Sequence, residues 1–296
     1  MQDSKTIEFK LPTLEELLGA GVHFGHKTSA WNPKMKPYIH TDRNGVHIID
    51  LVSTLTQLKK ALEAIYEASN RGNVLVVGTK GQAASLVQKM AEDCGAFYIN
   101  RRWAGGLFTN FKAIKKSVDK LISMEETLAS GAQGLVKKEQ LMMQREVERL
   151  NKIYSGIKFM DRLPSLMIVI DSKVEKNAVK EAKNVSMPVV SLVDTNSDPN
   201  AVAFPIPAND DSIKSIALFI NIFGEAIKEG IKAKALLTLR KEEENKLVKM
   251  KESYEAEVEK KRAMEEQERE RIKALKEGRA VEEAQTVRVI SRSKAK

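Results

Sequence analysis

The chain has 296 residues, of which 42% are hydrophobic and 30% are charged, and its 49 basic against 40 acidic side chains give a formal net charge of +9. This length and apolar content support a globular body with a sizeable core and exclude a wholly disordered chain. The basic excess favours a polyanionic partner, because cations that bind a nucleic acid release its counterions.

The amino-terminal residues and the single cysteine give no sign of export or of redox chemistry. Residues 1–18 carry mixed charge and no apolar run, so they do not resemble a signal peptide. The longest candidate for a membrane span, residues 213–231, is interrupted by four charged side chains. Cys94 lies in a helical pattern and is expected to be a buried hydrophobe in a reducing compartment. We therefore expect a cytoplasmic protein with no membrane partner.

Strand and helix patterns alternate through most of the chain, after a predicted N-terminal arm and first helix over residues 1–45. Short apolar runs predict strands at 46–50, 73–79, 96–100, 165–171 and 187–194, the first of them weakly. Three- and four-residue apolar spacing predicts helices over 51–71, 82–94, 174–184 and 212–230.

The runs at 73–79, 165–171 and 187–194 are continuous rather than alternating in hydrophobicity. Continuous apolar strands are typical of a parallel sheet that helices cover on both faces. The α/β body, residues 46–110 and 156–231, is therefore predicted to be a doubly wound parallel sheet.

Two segments interrupt this alternation. Residues 111–155 contain two long amphipathic patterns separated by a glycine-containing break, which predicts an inserted antiparallel helical hairpin. Residues 232–277 are densely charged and predict a long solvated helix supported by Glu–Lys pairs at four-residue spacing, and residues 278–296 are predicted to be disordered. A self-associating coiled-coil scaffold would need a more continuous apolar repeat, so we expect this helix to cross RNA or touch a neighbouring protein.

The segment from residue 21 to residue 45 interleaves cations, histidines and aromatic rings between glycines and prolines. This mixture suits RNA, because phosphates need charge while bases and sugars offer faces for packing. The candidate RNA-binding residues here are Phe24, His26, Lys27, Trp31, Asn32, Lys34 and Lys36. The alternative is that the rings of this segment simply pack on the sheet.

A second candidate RNA-binding segment lies just before the predicted hairpin, with the sequence NRRWAGGLFTN over residues 100–110. Two arginines follow a strand, a tryptophan offers a stacking face, and two glycines let the backbone approach a phosphate closely. The candidate residues are Arg101, Arg102, Trp103, Asn110, Lys112, Lys115 and Lys116. The alternative is that Trp103 and Phe108 form the joint between hairpin and body.

Three stretches of the chain resemble one known family. VHFGHKTSAWNPKMKPYI, NRRWAGGLFTN and LPSLMIVIDSKVEKNAVKEAKNVSMPVVSLVDTNSDP are similar, in this order, to motifs of the bacterial-type small-subunit ribosomal protein S2 family. The resemblance extends roughly from Leu14 to Gly230 and leaves a bacterial or an organellar source open. It implies a flavodoxin-like sheet with a protruding coiled-coil hairpin, docked on 16S ribosomal RNA at the head–body junction of the 30S subunit. It also implies contacts with neighbouring ribosomal proteins, among them the mRNA-binding protein S1.

A glycine-containing turn at residues 77–85 invites an enzymatic interpretation, because it follows a strand and opens a helix. Its spacing matches neither of the common phosphate-binding fingerprints, so a tight turn explains its glycines better. Lys80 in this turn is expected to meet an RNA phosphate.

Carboxylates accumulate at or after the predicted strand ends, at Asp171, Asp194, Asp198, Asp210 and Asp211. Helix capping explains Asp210 or Asp211 without any ligand. A speculative alternative is a structural Zn²⁺ or Mg²⁺ site at Asp194 and Asp210, closed by His23 or His26. No cofactor is required by this interpretation.

The resemblance, together with these patterns, implies a structural, RNA-binding constituent of the small ribosomal subunit rather than an enzyme. The alternative is a cytosolic α/β enzyme that binds a nucleotide or a metal at the strand ends. We find no serine in a nucleophile elbow and no histidine close in sequence to Cys94, which disfavours that alternative.

Overall fold

The computed structural model describes residues 9–132 and 134–293, and beyond residue 273 it describes the backbone alone. The chain divides into two units, Met1–Ala235 and Leu236–Lys296. Both sheets and both hydrophobic clusters belong to the first unit. Residues 294–296 of the predicted disordered tail lie outside the described residues.

A small antiparallel sheet follows the first helix, α1 (Leu14–Gly19). Its strands are β1 (Phe24–Lys27), β2 (Ile39–Arg43) and β3 (Val46–Ile49), in the order β1-β3-β2. The weakly predicted strand at 46–50 is therefore the centre of this sheet, and its assignment to the parallel sheet was wrong. The flanking strands escaped prediction because they are short and mostly polar, and their backbones are satisfied by β3.

The remaining elements complete an α/β body. In chain order they are α2 (Leu51–Arg71), β4 (Val74–Val77), α3 (Gly81–Cys94), β5 (Phe97–Ile99), α4 (Phe111–Ala129), α5 (Lys137–Tyr154), β6 (Leu166–Val169), α6 (Lys176–Asn184), β7 (Val189–Val193), β8 (Phe204–Pro207) and α7 (Ile213–Ser293). Strands β4 to β8 form one parallel sheet in the order β5-β4-β6-β7-β8. Counted along the chain this is the order 2-1-3-4-5, which confirms the flavodoxin-like prediction.

Alternate residues of the strands supply two cores, one on each face of the parallel sheet. Val76, Ile168 and Leu192 pack with α1, α2, α3 and the start of α7. Val77, Val169 and Val193 pack with α6, with the loop before α4 and with Met35 of the N-terminal segment. Because both faces are buried, every side chain of β4, β6 and β7 is buried, as their continuous apolar sequences predicted.

The inserted segment forms two helices, α4 and α5, which pack against each other. Val118 and Leu121 on α4 and Leu150 on α5 are buried. The Glu125 carboxylate of α4 accepts a hydrogen bond from Asn151 Nδ2 of α5 at 2.8 Å and pairs with the Lys158 ammonium. Phe111 and Ile114 of α4 and Tyr154 of α5 pack against the hydrophobic cluster of the body, which joins this pair of helices to the sheet.

Two further boundaries differ from the sequence-based expectation. Strand β8 was not predicted, because Pro205 and Pro207 are unusual in a strand; it is an edge strand, where a missing backbone N–H is tolerated. Helix α7 does not end at Gly230, and its backbone stays helical to Ser293. The long charged helix predicted over residues 232–277 is present, as a continuation of α7, because no proline follows Gly230 and good helix formers continue on both sides. The described backbone of residues 278–293 is helical, where disorder was predicted.

Candidate nucleic-acid interface

The N-terminal segment is held on the body through Thr195, which follows β7. His26 N donates to Thr195 Oγ1 at 2.8 Å, and Asn32 N donates to the Thr195 carbonyl oxygen at 2.7 Å. Gly25 makes this approach feasible, because a Cβ there would lie 2.5 Å from Thr195 Cγ2. The segment is therefore a fixed part of the body and not a free arm.

The candidate residues of this segment divide into exposed and engaged groups. Lys27 and Lys36 are exposed, and Phe24 is half exposed with its ring 4.0 Å from that of His23. Lys34 is exposed but pairs with Asp198 at 2.6 Å. The ring of Trp31, half-buried, lies 5.1 Å from that of His47.

Asn32 caps the short 3-10 helix Pro33–Tyr38 by accepting from Lys34 N at 3.1 Å. Its side chain thus serves the local fold. Among the candidate residues of this segment, Lys27, Lys36 and the Phe24 ring face solvent, and they suit a phosphate backbone and a sugar or base face.

Lys80 lies inside a cluster of carboxylates at the carboxyl ends of the parallel strands. Its Nζ is 2.7 Å from Asp171, 2.7 Å from Asp210 and 2.8 Å from Asp211. The three donors of an ammonium are thereby matched by three carboxylates. The expected contact between Lys80 and an RNA phosphate is contradicted by this arrangement, because the side chain is only 16% exposed and already paired.

His26 closes the same cluster from the N-terminal segment. Its Nδ1 lies 3.0 Å from Asp194 Oδ1 and its Nε2 lies 3.2 Å from Asp211 Oδ2. The contact with Asp194 raises the pKa of His26, against the opposing effect of burial. Burial, together with repulsion from Asp171 and Asp194, raises the pKa of Asp210 to about 7 despite the nearby Lys80.

This geometry corrects the speculative metal site. His23 does not join the cluster: it stacks on Phe24, and burial lowers its pKa. The three side chains whose ligand atoms lie within 4.8 Å of one another are His26, Asp210 and Asp211. Asp194 lies behind them, engaged with Thr195 N at 2.5 Å.

The loop between β5 and α4 wraps around one carboxylate, that of Glu181 on α6. Glu181 accepts from Trp103 Nε1 at 3.0 Å, Gly106 N at 2.8 Å and Phe108 N at 3.1 Å. Burial would raise the pKa of Glu181, but these donors outweigh it and hold the pKa below its ordinary value. The backbone amides that were expected to face a phosphate therefore face an internal anion.

Trp103 is a structural residue in this loop. It is buried, and its ring meets that of Phe108 edge-on at 5.1 Å. Its burial favours the alternative in which the two rings join the hairpin to the body over a stacking role for Trp103.

The cations on either side of the loop are presented to solvent. Arg101, Arg102, Lys112 and Lys116 are exposed, and Asn110 is exposed at the start of α4. Lys115 pairs with Asp161 at 2.5 Å. Arg101 also lines an open polar cleft of about 420 Å³ together with Asn100, Asn151 and Lys152. Sequence patterns did not single out Lys152 or Glu181, because each is one charged residue among many on an amphipathic helix.

The two candidate segments both contribute side chains to the same hydrophobic cluster. Met35 and Tyr38 of the N-terminal segment belong to the same hydrophobic cluster as Trp103 and Leu107 of the loop before α4. Their exposed cations are therefore carried by parts of the chain that pack into one core.

None of the described helices is both long and apolar enough to cross a bilayer.

Residues 17–230 match the family described as "Ribosomal protein S2". The chain is 46% identical over 220 residues to small ribosomal subunit protein uS2 of Sinorhizobium medicae, an alignment that covers 74% of this chain and 86% of the relative. It is 49% identical over 220 residues to uS2 of Picosynechococcus sp., with the same shares covered, and 49% identical to uS2c of Rhodomonas salina, of which 90% is covered.

Proposed function

The chain belongs to the ribosomal protein S2 family, and on that premise we propose that it is a structural constituent of the small ribosomal subunit that binds 16S ribosomal RNA. The observation that carries the proposal is the family match over residues 17–230, which includes both segments with exposed cations. The family is structural and not enzymatic, so the enzyme alternative is dropped. As a small-subunit protein the chain resides in cytoplasmic ribosomes.

The proposed RNA contacts are the groups that the fold leaves exposed: Phe24, Lys27, Lys36, Arg101, Arg102, Lys112 and Lys116. Lysine and arginine side chains would bind phosphates, and the Phe24 ring would pack on a sugar or base. His26, Trp31, Asn32, Lys34, Asn110 and Lys115 would act mainly by shaping the surface, because most of them already have partners within the chain. Binding energy alone, without a chemical step, would then fix the geometry of an RNA junction.

Contacts with neighbouring proteins of the subunit, including the mRNA-binding protein S1, are part of the same proposal. They would use surfaces that the RNA leaves free. Crosslinking of assembled subunits, followed by identification of the joined peptides, tests them.

A structural Zn²⁺ or Mg²⁺ at His26, Asp210 and Asp211 is a secondary proposal. The residues fit such an ion, since one buried oxygen, Asp210 Oδ2, has no hydrogen-bond partner among the described residues. A bound cation would supply positive charge to a cluster in which carboxylates outnumber Lys80. Elemental analysis of the purified protein tests it, with His26→Ala as the variant expected to lose the ion.

The first test of the RNA contacts is Arg101→Ala/Arg102→Ala, measured by incorporation into small subunits on sucrose gradients over a series of salt concentrations. Each lost phosphate contact should lower the salt dependence of binding by about one unit of log–log slope, so the double variant should lose roughly two. A matched control is Lys59→Ala/Lys60→Ala on α2, which packs on the other face of the sheet. Equal incorporation of both variants at every salt concentration would refute the contacts.

A further inference from the structure

The open polar cleft beside Arg101 lies between the α/β body and the inserted helices. Its volume of about 420 Å³ falls in the range of roughly 300–1,000 Å³ that is usual for small-ligand clefts. Every residue that lines it has a polar or charged side chain, which disfavours an apolar peptide or a lipid chain as its occupant. The lining includes Gln88 on α3, Asn100 and Arg101 after β5, and Glu148, Asn151 and Lys152 on α5.

The asparagine side chains of the cleft use their N–H groups within the chain. Asn100 Nδ2 donates to Gln88 Oε1 at 2.9 Å and to the Ala84 carbonyl oxygen at 3.4 Å. Asn151 Nδ2 donates to Glu125 Oε1 at 2.8 Å. Because a backbone carbonyl and a carboxylate can only accept, these bonds fix which end of each amide is the nitrogen. Asn100 Oδ1 and Asn151 Oδ1 accept no hydrogen bond from the residues that the structure describes.

Two cations share the cleft with these oxygens. Arg101 and Lys152 are exposed, and neither is paired with a carboxylate in the described part of the chain. Each follows one of the two asparagines directly in the sequence, so both walls of the cleft carry an amide beside a cation. One acidic side chain, that of Glu148, also lines the cleft. The cleft therefore offers positive charge together with unused hydrogen-bond acceptors.

A ligand that satisfies both kinds of group must carry a negative charge next to a hydrogen-bond donor. The backbone of DNA has phosphates but no donor, and the carboxylates of an acidic peptide only accept hydrogen bonds. A basic peptide would donate, but Arg101 and Lys152 would repel it. The backbone of RNA has both groups, because each phosphate is linked to a ribose whose 2′-hydroxyl can donate.

We propose that this cleft binds the ribose–phosphate backbone of RNA. Ribose 2′-hydroxyls donate to Asn100 Oδ1 and Asn151 Oδ1, while the adjoining phosphates pair with Arg101 and Lys152. The inference rests on the proposed function, because it takes the RNA to be that of the small subunit. It deepens that function by assigning the two asparagines to the choice of RNA over DNA. This recognition does not depend on base sequence, since every ribose carries the same hydroxyl.

The experiment uses the full-length protein and 16S ribosomal RNA transcripts in which a small fraction of the nucleotides is 2′-deoxy. Bound RNA is separated from free RNA on a filter, and the deoxy positions that are depleted from the bound fraction are mapped. We expect depletion at a few positions with the unaltered chain. At one or more of these positions the depletion should disappear with Asn151→Ala, in which Glu125 keeps its pair with Lys158.

Asn221→Ala is the matched control, because Asn221 is an exposed amide on α7 that does not line this cleft. This variant should keep every depleted position. Thermal unfolding of both variants checks that each is folded at the temperature of the assay.

RNA with a single 2′-deoxy nucleotide at a depleted position measures the contact itself. The deoxy nucleotide should weaken binding to the unaltered chain by about five- to tenfold, the effect of one hydrogen bond. It should leave the affinity of Asn151→Ala unchanged, since that variant has already lost the acceptor. Lys152→Gln, which preserves the amide hydrogen bonds, should lower the log–log slope of binding against salt by about one.

Several results would overturn the inference while RNA binding itself persists. These are the absence of depleted positions, the same positions with Asn151→Ala as with the unaltered chain, and an unchanged salt slope in Lys152→Gln. Tight binding of adenosine monophosphate that Asn151→Ala abolishes would make a free nucleotide the occupant. Weaker incorporation of Asn151→Ala into subunits, with unchanged affinity for bare RNA, would make a neighbouring protein the occupant. An unaltered chain that does not bind 16S ribosomal RNA would refute the proposed function, and the inference with it.

Discussion

Asp210 and His26 show how burial and neighbouring charges determine the chemistry of single residues. Asp210 is buried between Asp171 and Asp194, which also carry negative charge, and Lys80 offsets this only in part. His26 gains a proton more readily than a free histidine because it lies against Asp194. Both groups therefore bind protons more tightly in the folded chain than in the unfolded one.

We predict that the contribution of Asp210 and His26 to the stability of the folded state falls as pH rises from about 4 to about 7. The pKa of Asp210 rises from an unfolded value of 3.8 to about 7, so deprotonation is harder in the folded chain over this window. The raised pKa of His26 acts in the same direction. The stability that protonated His26 contributes is fully present below its unfolded-state pKa of 6.5 and is lost as pH rises through its folded-state pKa.

Asp210→Asn should flatten this decline by up to roughly 3–4 kcal/mol. Urea unfolding between pH 4 and pH 8, with a chelator present to remove bound ions, measures the difference. A stability difference between Asp210→Asn and the unaltered chain that is the same at pH 4 and at pH 8 would contradict the assignment.

Glu181 stabilises the loop between β5 and α4, and this stabilisation has the opposite pH dependence. Its carboxylate accepts hydrogen bonds from Trp103, Gly106 and Phe108. Because the pKa of Glu181 is lower in the folded chain, the stabilisation is fully present above about pH 4.5 and is lost as pH falls through the folded-state pKa. Glu181→Ala should lower the free energy of unfolding by about 1–3 kcal/mol at pH 7, because donors around it lose their acceptor.

The difference in free energy of unfolding between Glu181→Ala and the unaltered chain should be smaller at pH 3 than at pH 7. Tryptophan fluorescence during unfolding reports the loop directly when it is recorded in a Trp31→Phe background, which leaves Trp103 as the one tryptophan. A difference that is unchanged between pH 7 and pH 3 would show that packing, and not the ionised carboxylate, is what the substitution removes.

At the scale of elements, the hairpin is joined to the sheet by a close backbone contact. Gly156, just after α5, lies so near β5 that an added Cβ would meet the Tyr98 carbonyl oxygen at 2.2 Å. Backbone cannot move aside as a flexible side chain can, so any larger residue must displace the base of the hairpin.

Gly156→Ala should therefore destabilise the protein by about 1–3 kcal/mol, the range for overpacked sites. The matched control is Gly105→Ala, since a Cβ at Gly105 meets nothing within 4 Å. Thermal unfolding and limited proteolysis at the 130–136 loop compare the two. Equal stability of both variants would mean that the hairpin base adjusts without strain.

At the scale of the whole molecule, the residues that form the two cores and the residues of the carboxyl-terminal unit occupy different parts of the sequence. The buried residues of both hydrophobic clusters end at Ile227, and the chain divides at Ala235. The described side chains from Leu236 onward are exposed, apart from the half-buried Val258.

A chain ending at Ala235 should unfold at the same temperature as the full chain, within about 2 °C, since no core residue is removed. Differential scanning calorimetry of both proteins tests this. A clearly lower transition for the shorter chain would reveal stabilising contacts made by the later part of α7.

The parallel sheet, its covering helices and the helical insertion could be predicted from local sequence patterns. Strands such as Val74–Val77 and Leu166–Val169 were predictable because a continuous β-branched run has few other ways to bury itself. The family was likewise readable from three long motifs. These features depend on residues close together along the chain.

Which polar residues are available to a partner depends on contacts between distant parts of the fold. Lys80 and Trp103 look like ligands of RNA in the sequence, yet Asp171, Asp210, Asp211 and Glu181 from distant elements already satisfy them. Whether a charge faces solvent or a counterion depends on segments far apart in the chain, 131 residues for Lys80 and Asp211 and 164 residues for Lys34 and Asp198. Local sequence patterns cannot predict these long-range ion pairs and hydrogen bonds. The free energy that favours such contacts comes from desolvation and pairing in the assembled fold.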